Sequence, residues 1–303
     1  MSLEQHIASK ATLLGFAAVG FASLARSESF GVFEEWLKSG GSAGMDYLRE
    51  NKVLRSDPRV LAQGAKSVIV VAARYSVNKV PGRGFSSFVG SKDYHHVIRT
   101  KLHELAEFIR QKVPISVARV CVDSAPLLER EWAVRAGIGW RGRQGQIVNR
   151  DHGCCIFLGE LLVDAILTPS TPVPNQCGKC RDCIDACPNT ALRLDGLIDA
   201  WKCASYLTIE HKGEFTVNDT SSIGKSIFGC DVCTAICPWN PDDDDGHLIP
   251  DLVGVDMPDA DACFEMTQDE FLRRFEHTAV FRTGLERLKR NAAAVIKNCS
   301  IRD

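Results

Sequence analysis

Two short cysteine runs constrain this chain more than any other feature. Residues 177–188 read Cys177-Gly-Lys-Cys180-Arg-Asp-Cys183-Ile-Asp-Ala-Cys187-Pro188, and residues 230–238 read Cys230-Asp-Val-Cys233-Thr-Ala-Ile-Cys237-Pro238. The first has the C-x2-C-x2-C-x3-C-P spacing that holds [4Fe–4S] cubanes. The tight gaps wrap three thiolates onto one compact cluster, and the longer gap with its proline sends the fourth to a second cluster. The second run lacks one cysteine relative to the first. Cys203, the single cysteine between the runs, completes the count. Crossed ligation then gives Cys177, Cys180, Cys183 and Cys237 to one cluster, and Cys187, Cys203, Cys230 and Cys233 to the other.

Structural zinc also uses C-x2-C pairs, but two zincs would not require two C-x3-C-P endings. A disulfide scaffold is expected in short secreted chains, whereas this one has 303 residues with most of its 13 cysteines between Cys177 and Cys237. The remaining five, Cys121, Cys154, Cys155, Cys263 and Cys299, read as small buried hydrophobes. The uncharged stretch from Ala11 to Ala25 resembles a signal core, but Glu4 and His6 make a poor leader, and Gly15 and Gly20 break it. It is also short of a membrane span. A cytoplasmic protein with no membrane partner is expected, and a monomer. The formal net charge of −2 gives no overall attraction to a polyanion, so any nucleic acid must meet a local basic patch.

Clusters alone could relay electrons as in a ferredoxin, but about 170 residues precede them and must hold something for the electrons to reduce. Leu3 to Leu14, Phe30 to Lys38 and Tyr94 to Lys112 have helical spacing. Ser67 to Tyr75, Ile115 to Val122 and Cys155 to Leu162 read as strands. Three prolines in Thr168 to Pro174 mark a linker. The pattern predicts an α+β chain: an α/β-type domain over 1–168, a two-cluster domain over 169–246 with a solvated acidic loop at Asp242 to Gly246, and a helical segment over 247–303.

Several further segments resemble the epoxyqueuosine reductases of tRNA modification. They are Lys92-Asp-Tyr-His95, Val122-Asp-Ser-Ala-Pro-Leu-Leu-Glu-Arg130, Ala136-Gly-Ile-Gly-Trp140, Phe157-Leu-Gly-Glu-Leu161, Cys203-Ala-Ser-Tyr-Leu-Thr-Ile-Glu210 and Gly229 to Asn240. The resemblance spans nearly the whole chain. It implies a nitroreductase-like first domain that binds cobalamin beside one cluster, and a ferredoxin-like domain with two [4Fe–4S] clusters. It also implies an anticodon stem-loop substrate and an electron donor that the sequence does not identify. In the implied reaction Co(I) cobalamin opens the epoxide with electrons from the clusters, and Asp123 is the proton donor by motif match. Such a donor must be protonated, so burial against the corrin is expected to raise its pKa. Without the resemblance, Asp123 reads as the cap of a helix begun at Ser124-Ala-Pro126.

Arg55, Tyr94, His95, Ser205 and Tyr206 are the further candidates for cobalamin contact, on the same resemblance. Arg141, Arg143 and Arg150 form one basic group, and Arg273, Arg274, Arg282, Arg287, Lys289 and Arg290 another, either of which could track phosphates. The chain departs from the family where Phe88-Val-Gly-Ser91 stands for Tyr-Ala-x-Gly, and it ends before the helical repeats that many members carry. The competing readings are a cobalamin-dependent reductive dehalogenase and a ferredoxin-like electron carrier. Iron and sulfide assays after anaerobic reconstitution are expected to give about eight of each per chain. Stoichiometric zinc in their place would remove the cluster reading.

Overall fold

A computed structural model describes residues 1–75, 84–89, 91–241, 249–252 and 256–300. The expected acidic loop at Asp242 to Gly246 and Gly90 of the altered segment lie outside them. A four-stranded sheet forms the centre of the first domain, in the order β1 (Ala18–Ser23), β2 (Ser67–Arg74), β6 (Ile156–Val163), β3 (Ala118–Cys121). Between β3 and β6, β4 (Trp140–Arg141) and β5 (Ile147–Val148) make a small separate ribbon. Every pairing in the large sheet is antiparallel, so the domain lacks the parallel sheet of an α/β-type fold and is α+β instead.

β2 is buried along its whole length, as its β-branched run requires. It is sandwiched between β1 and β6, with Ser67 opposite Val163 and Arg74 opposite Ile156. On one face Ile69, Val71, Phe157 and Leu161 pack against Val97, Ile98, Leu102 and Leu105 of the helix Tyr94–Arg110. That helix approaches closely because Gly159 has no side chain: a Cβ there would stand 2.7 Å from Ile98. The opposite face carries Val68, Val70 and Leu162 against Trp132 and Ala133 of the helix Glu129–Arg135. The expected strand over Ile115 to Val122 is shorter than its apolar pattern, starting at Ala118, because the Ser116 N–H turns to the Asp164 carboxylate at 3.0 Å.

Packing does not stop at the expected domain boundaries. Phe85 and Val89 join one apolar cluster with Leu207, Phe228, Phe271, Phe275 and Leu288, whereas Ile249 and Leu252 pack with the first domain. Asn291 fastens the last helix, Leu285–Ser300, to this cluster. Fully buried, it donates to the Thr208 carbonyl at 2.8 Å and the Ile227 carbonyl at 2.9 Å. Among the described residues no helix is long and apolar enough to cross a membrane. Asn291→Ala strands both carbonyls in the interior, and each is expected to cost about 1–3 kcal/mol. A lowered urea midpoint with the clusters still bound would show it.

Candidate functional site

Asp123 follows β3 in a left-handed conformation, φ +47°, which a residue with a side chain adopts only when its surroundings hold it there. It caps no helix, since the next one begins at Glu129. Its backbone N–H donates to the Glu129 carboxylate, and its side chain, 56% exposed, accepts from His95 Nε2 at 2.9 Å. His95 is buried, and its Nδ1 lies 2.6 Å from Asp93. Asp93 caps the helix Tyr94–Arg110, so the same residue starts the helix and orients the imidazole. Arg282 of the C-terminal segment reaches in, with its guanidinium 3.4 Å from Asp93 and 3.2 Å from His95 Nε2.

The electrostatics of the group oppose the expected upward shift of Asp123. Burial pushes its carboxyl up, but the hydrogen bond and charge of His95, with Arg130 and Arg282 behind, outweigh it and hold the group below the ordinary value. His95 is the converse case. Burial would lower its pKa, and its bonds to Asp123 and Asp93 raise it above 6.5 instead. Nearby, burial lifts Tyr47 to about 12, with the charges of Glu210 and Asp123 adding to it. Glu210 is likewise raised by burial and then by Asp123. Glu210 ends the helix Ala204–Ile209, whose N-cap is Cys203. The first domain and the cysteine-rich domain therefore meet at Asp123.

The cysteines fall into two sets. Burial and then the charges of Cys237, Cys177 and Cys180 push the Cys183 thiol up. Burial, followed by Cys230, Cys203, Cys154 and Cys187, does the same to Cys233. Cys187 thus belongs with the second set, although it lies four residues beyond Cys183. Four thiolates this close repel one another, and a polycationic core removes that penalty. Among the described residues no three His, Cys, Asp or Glu side chains are grouped to hold a single metal ion. Cys154, read from sequence as an inert hydrophobe, stands against Cys237, whose thiol it raises through a shared hydrogen bond. Its own Sγ lies 3.3 Å from the Asn240 amide oxygen.

The other candidates are placed as follows. Arg55 is buried and donates to the Leu127 carbonyl at 3.2 Å, tying the short helix Lys52–Ser56 to the Asp123 loop. Tyr94 stacks between the ring of Phe157, at 4.1 Å, and that of His95, at 4.0 Å. The Tyr206 hydroxyl accepts the Gly44 N–H at 2.9 Å, and Ser205 is half-buried beside it. Most of the arginines grouped for phosphate contact bind backbone carbonyls instead. Arg141 donates to Gly196, Arg143 to Leu194 and Gly178, Arg274 to Asp256, Arg287 to Thr283 and Ile209, and Arg290 to Leu207 and His211. Arg141 and Arg143 also line a cavity of about 460 Å³ beside Cys177, away from Asp123. Glu129, Glu160, Tyr47 and Glu210 had no assigned role, since neither spacing nor charge pattern singles out one carboxylate among many.

Comparison with known proteins converges on one family. Residues 55–124 match the family described as epoxyqueuosine reductase QueG, DUF1730, and residues 176–240 match a 4Fe-4S double cluster binding domain. The epoxyqueuosine reductase of Vibrio cholerae is 35% identical over 98% of this chain and 83% of its own. A crystal structure of epoxyqueuosine reductase with an epoxyqueuosine-modified tRNA-Tyr stem loop superposes with a TM-score of 0.88 at 28% identity, covering 98% of this chain and 81% of that one. The Bacillus subtilis epoxyqueuosine reductase, solved with a catalytic aspartate loop swung out of its active site, gives 0.86 at 27% identity over 98% and 81%.

The His95 pair has a pH signature. A pKa raised in the folded state adds stability that is fully present below the unfolded value near 6.5 and is lost as pH rises through the folded one. Ring-proton NMR is expected to show His95 titrating above 6.5 in the intact protein and lower in Asp93→Asn. An unshifted midpoint in the variant would remove Asp93 as a cause.

Proposed function

Since this chain belongs to the epoxyqueuosine reductase family, we propose that it reduces epoxyqueuosine to queuosine in tRNA at the junction centred on Asp123. The observation that carries this reading is the meeting there of the Asp123–His95 pair with the helix that starts at Cys203. We read this as an acid and an electron-delivering centre on two sides of one space, with Glu210 at the end of that helix acting on Asp123. Removing the epoxide oxygen as water takes two electrons and two protons. We assign the electron supply to two [4Fe–4S] clusters, on Cys177, Cys180, Cys183 and Cys237 and on Cys187, Cys203, Cys230 and Cys233, the first proton to Asp123 and the second to solvent.

The residues present also suit cobalamin, whose corrin rim is rich in amides. Arg55 keeps a buried Nε–H with no partner among the described residues, and Tyr47 is 45% exposed at the same opening. Tyr94, Ser205 and Tyr206 would line the space from both domains. When bound, cobalamin supplies the strong nucleophile that opens the epoxide. The chain's own part is the proton. In the open site the pair favours a carboxylate on Asp123 and an added proton on His95, since each group shifts the other that way. Substrate entry removes water from the exposed Asp123 side chain, which weakens the case for two opposite charges there. The proton then moves from His95 Nε2 to Asp123 Oδ2 along their hydrogen bond, and Asp123 passes it to the oxygen leaving the ring.

Arg130 and Arg282 carry the positive charge that acts on Asp123, and they suit the phosphates on either side of a base drawn into the site. This division of labour assigns residues 1–168 to cobalamin and catalysis, 169–246 to the clusters and 247–303 to closing the site through Arg282, with cytoplasmic tRNA as substrate. Protein reconstituted with iron, sulfide and cobalamin, and given a strong reductant, is expected to convert epoxyqueuosine-containing tRNA with loss of one oxygen, read by nucleoside mass spectrometry. Asp123→Asn is expected to lower turnover by about 10²–10⁴-fold. Full turnover by that variant would sink Asp123 as donor, and no conversion with clusters and cobalamin bound would sink the substrate.

A further inference from the structure

Beneath Asp123 lies a second pair of carboxyl groups with no part in the steps above. Glu160 occupies the middle of β6, opposite Val70 on one side and Cys121 on the other, and is 0% exposed. Alternation along β6 turns it toward the face where Leu162, Val70 and Trp132 form an apolar cluster. Among the described residues neither of its oxygens has a hydrogen-bond partner at bonding geometry. The group that acts on it most is the Glu129 carboxyl, through charge and through a contact that becomes a hydrogen bond once one of the two holds a proton. Glu129 is also the acceptor for the Asp123 N–H.

We infer that Glu129 and Glu160 share one proton, Glu160 standing as the neutral acid, and that this pair is a positioning device that holds the Asp123 loop in its left-handed conformation. An ionised Glu160 in an apolar layer would have neither water nor a cation beside it. Kept neutral, it donates to Glu129, and Glu129 keeps an oxygen for the Asp123 N–H. The chain of bonds runs from the central strand of the core to the loop that carries the proton donor. Its surroundings leave the pair as the place for that proton. Glu129 faces Asp123 and Arg130 nearby, and lies within electrostatic reach of Arg55, Tyr94 and Cys121. Glu160 faces Glu129, Asp123 and Cys121. Burial, with the Asp123 charge adding, brings Glu129 to about 7, and burial first and Glu129 second raise Glu160 well above the carboxylate range. Glu129 therefore ionises near neutrality while Glu160 stays protonated.

Infrared spectroscopy of the intact protein with ¹³C-labelled glutamate reads this directly. A protonated-carboxyl band is expected to persist at about pH 8, where exposed glutamates are ionised, and to vanish in Glu160→Gln. Glu129→Ala is expected to lower kcat on modified tRNA by about tenfold to a hundredfold with KM unchanged, as misplacement of a catalytic group does. Glu160→Gln should move the pH limb of turnover to higher pH, because the hydrogen bond that the neutral Glu160 donates favours the Glu129 carboxylate and an amide donates a weaker one. A wild-type protein with no such band, or a Glu129→Ala variant with unchanged kcat, overturns the inference. The kinetic arms rest on Asp123 acting as the donor, whereas the infrared band does not. Loss of that assignment through Asp123→Asn would therefore leave the shared proton standing or falling on its own spectrum.

Discussion

The eight-residue ladder between Ser67–Arg74 and Ile156–Val163 is the constraint on which the rest of the molecule hangs. Because β2 is buried on both faces, its neighbours are fixed in register: slipping β6 by one residue would exchange Phe157 and Leu161 for Ile156 and Glu160 against the helix Tyr94–Arg110. That register sets two distances that matter. Gly159 meets Ile98, which brings the helix close enough for His95 to reach Asp123, and Phe157 meets Tyr94, whose ring backs the imidazole. On the other face the same strand sets Glu160 toward the helix that carries Glu129. One strand therefore positions both partners of the Asp123 loop, one through its side chain and one through its N–H.

The two cysteine sets depend on this frame less directly. Short helices, Asp182–Asp185 and Val232–Ala235, lead toward the last cysteine of each run, Cys187 and Cys237, which lies with the other run's set. Around them the backbone would be left with free carbonyls, and arginines of other segments take these up. Arg141 and Arg143 hold the 194–196 turn and Gly178, while Arg287 and Arg290 hold the end of the helix that follows Cys203. A guanidinium satisfies several carbonyls at once because its donors are fixed in one plane. These arginines brace the loops that carry the cysteines.

This contrast marks how far the sequence could be read. The cysteine runs were legible because ligation of a compact cluster demands both residue type and spacing within a few positions of chain. The strands Ser67–Arg74 and Ile156–Val163 were legible because burial on both faces demands a dense apolar run. By contrast, the partners of Asp123 are brought together by folding: His95 lies 28 residues away, and Arg282 belongs to the C-terminal segment. Nothing local distinguishes an arginine that will meet a carbonyl from one that will meet a phosphate. The expected rise in the Asp123 pKa rested on burial alone, whereas folding sets the His95 imidazole beside the carboxyl and holds it down.

A lone aspartic acid buried enough to stay protonated would be a poor recurrent donor, because the burial that keeps its proton also obstructs its return. Pairing it with an imidazole changes the problem from holding a proton to locating one. In the relay proposed for this site, the charged pair is favoured while water reaches Asp123, with the proton on His95, whose ring Asp93 fixes from behind. When water is excluded, the neutral pair gains by comparison, and a shift along one hydrogen bond arms the acid without any exchange with solvent. Asp93 tempers the transfer, since its charge favours the imidazolium, and Arg282 offsets part of that charge from the opposite side. Arg282 belongs to the C-terminal segment, which thereby adds to the charge acting on the Asp123–His95 pair.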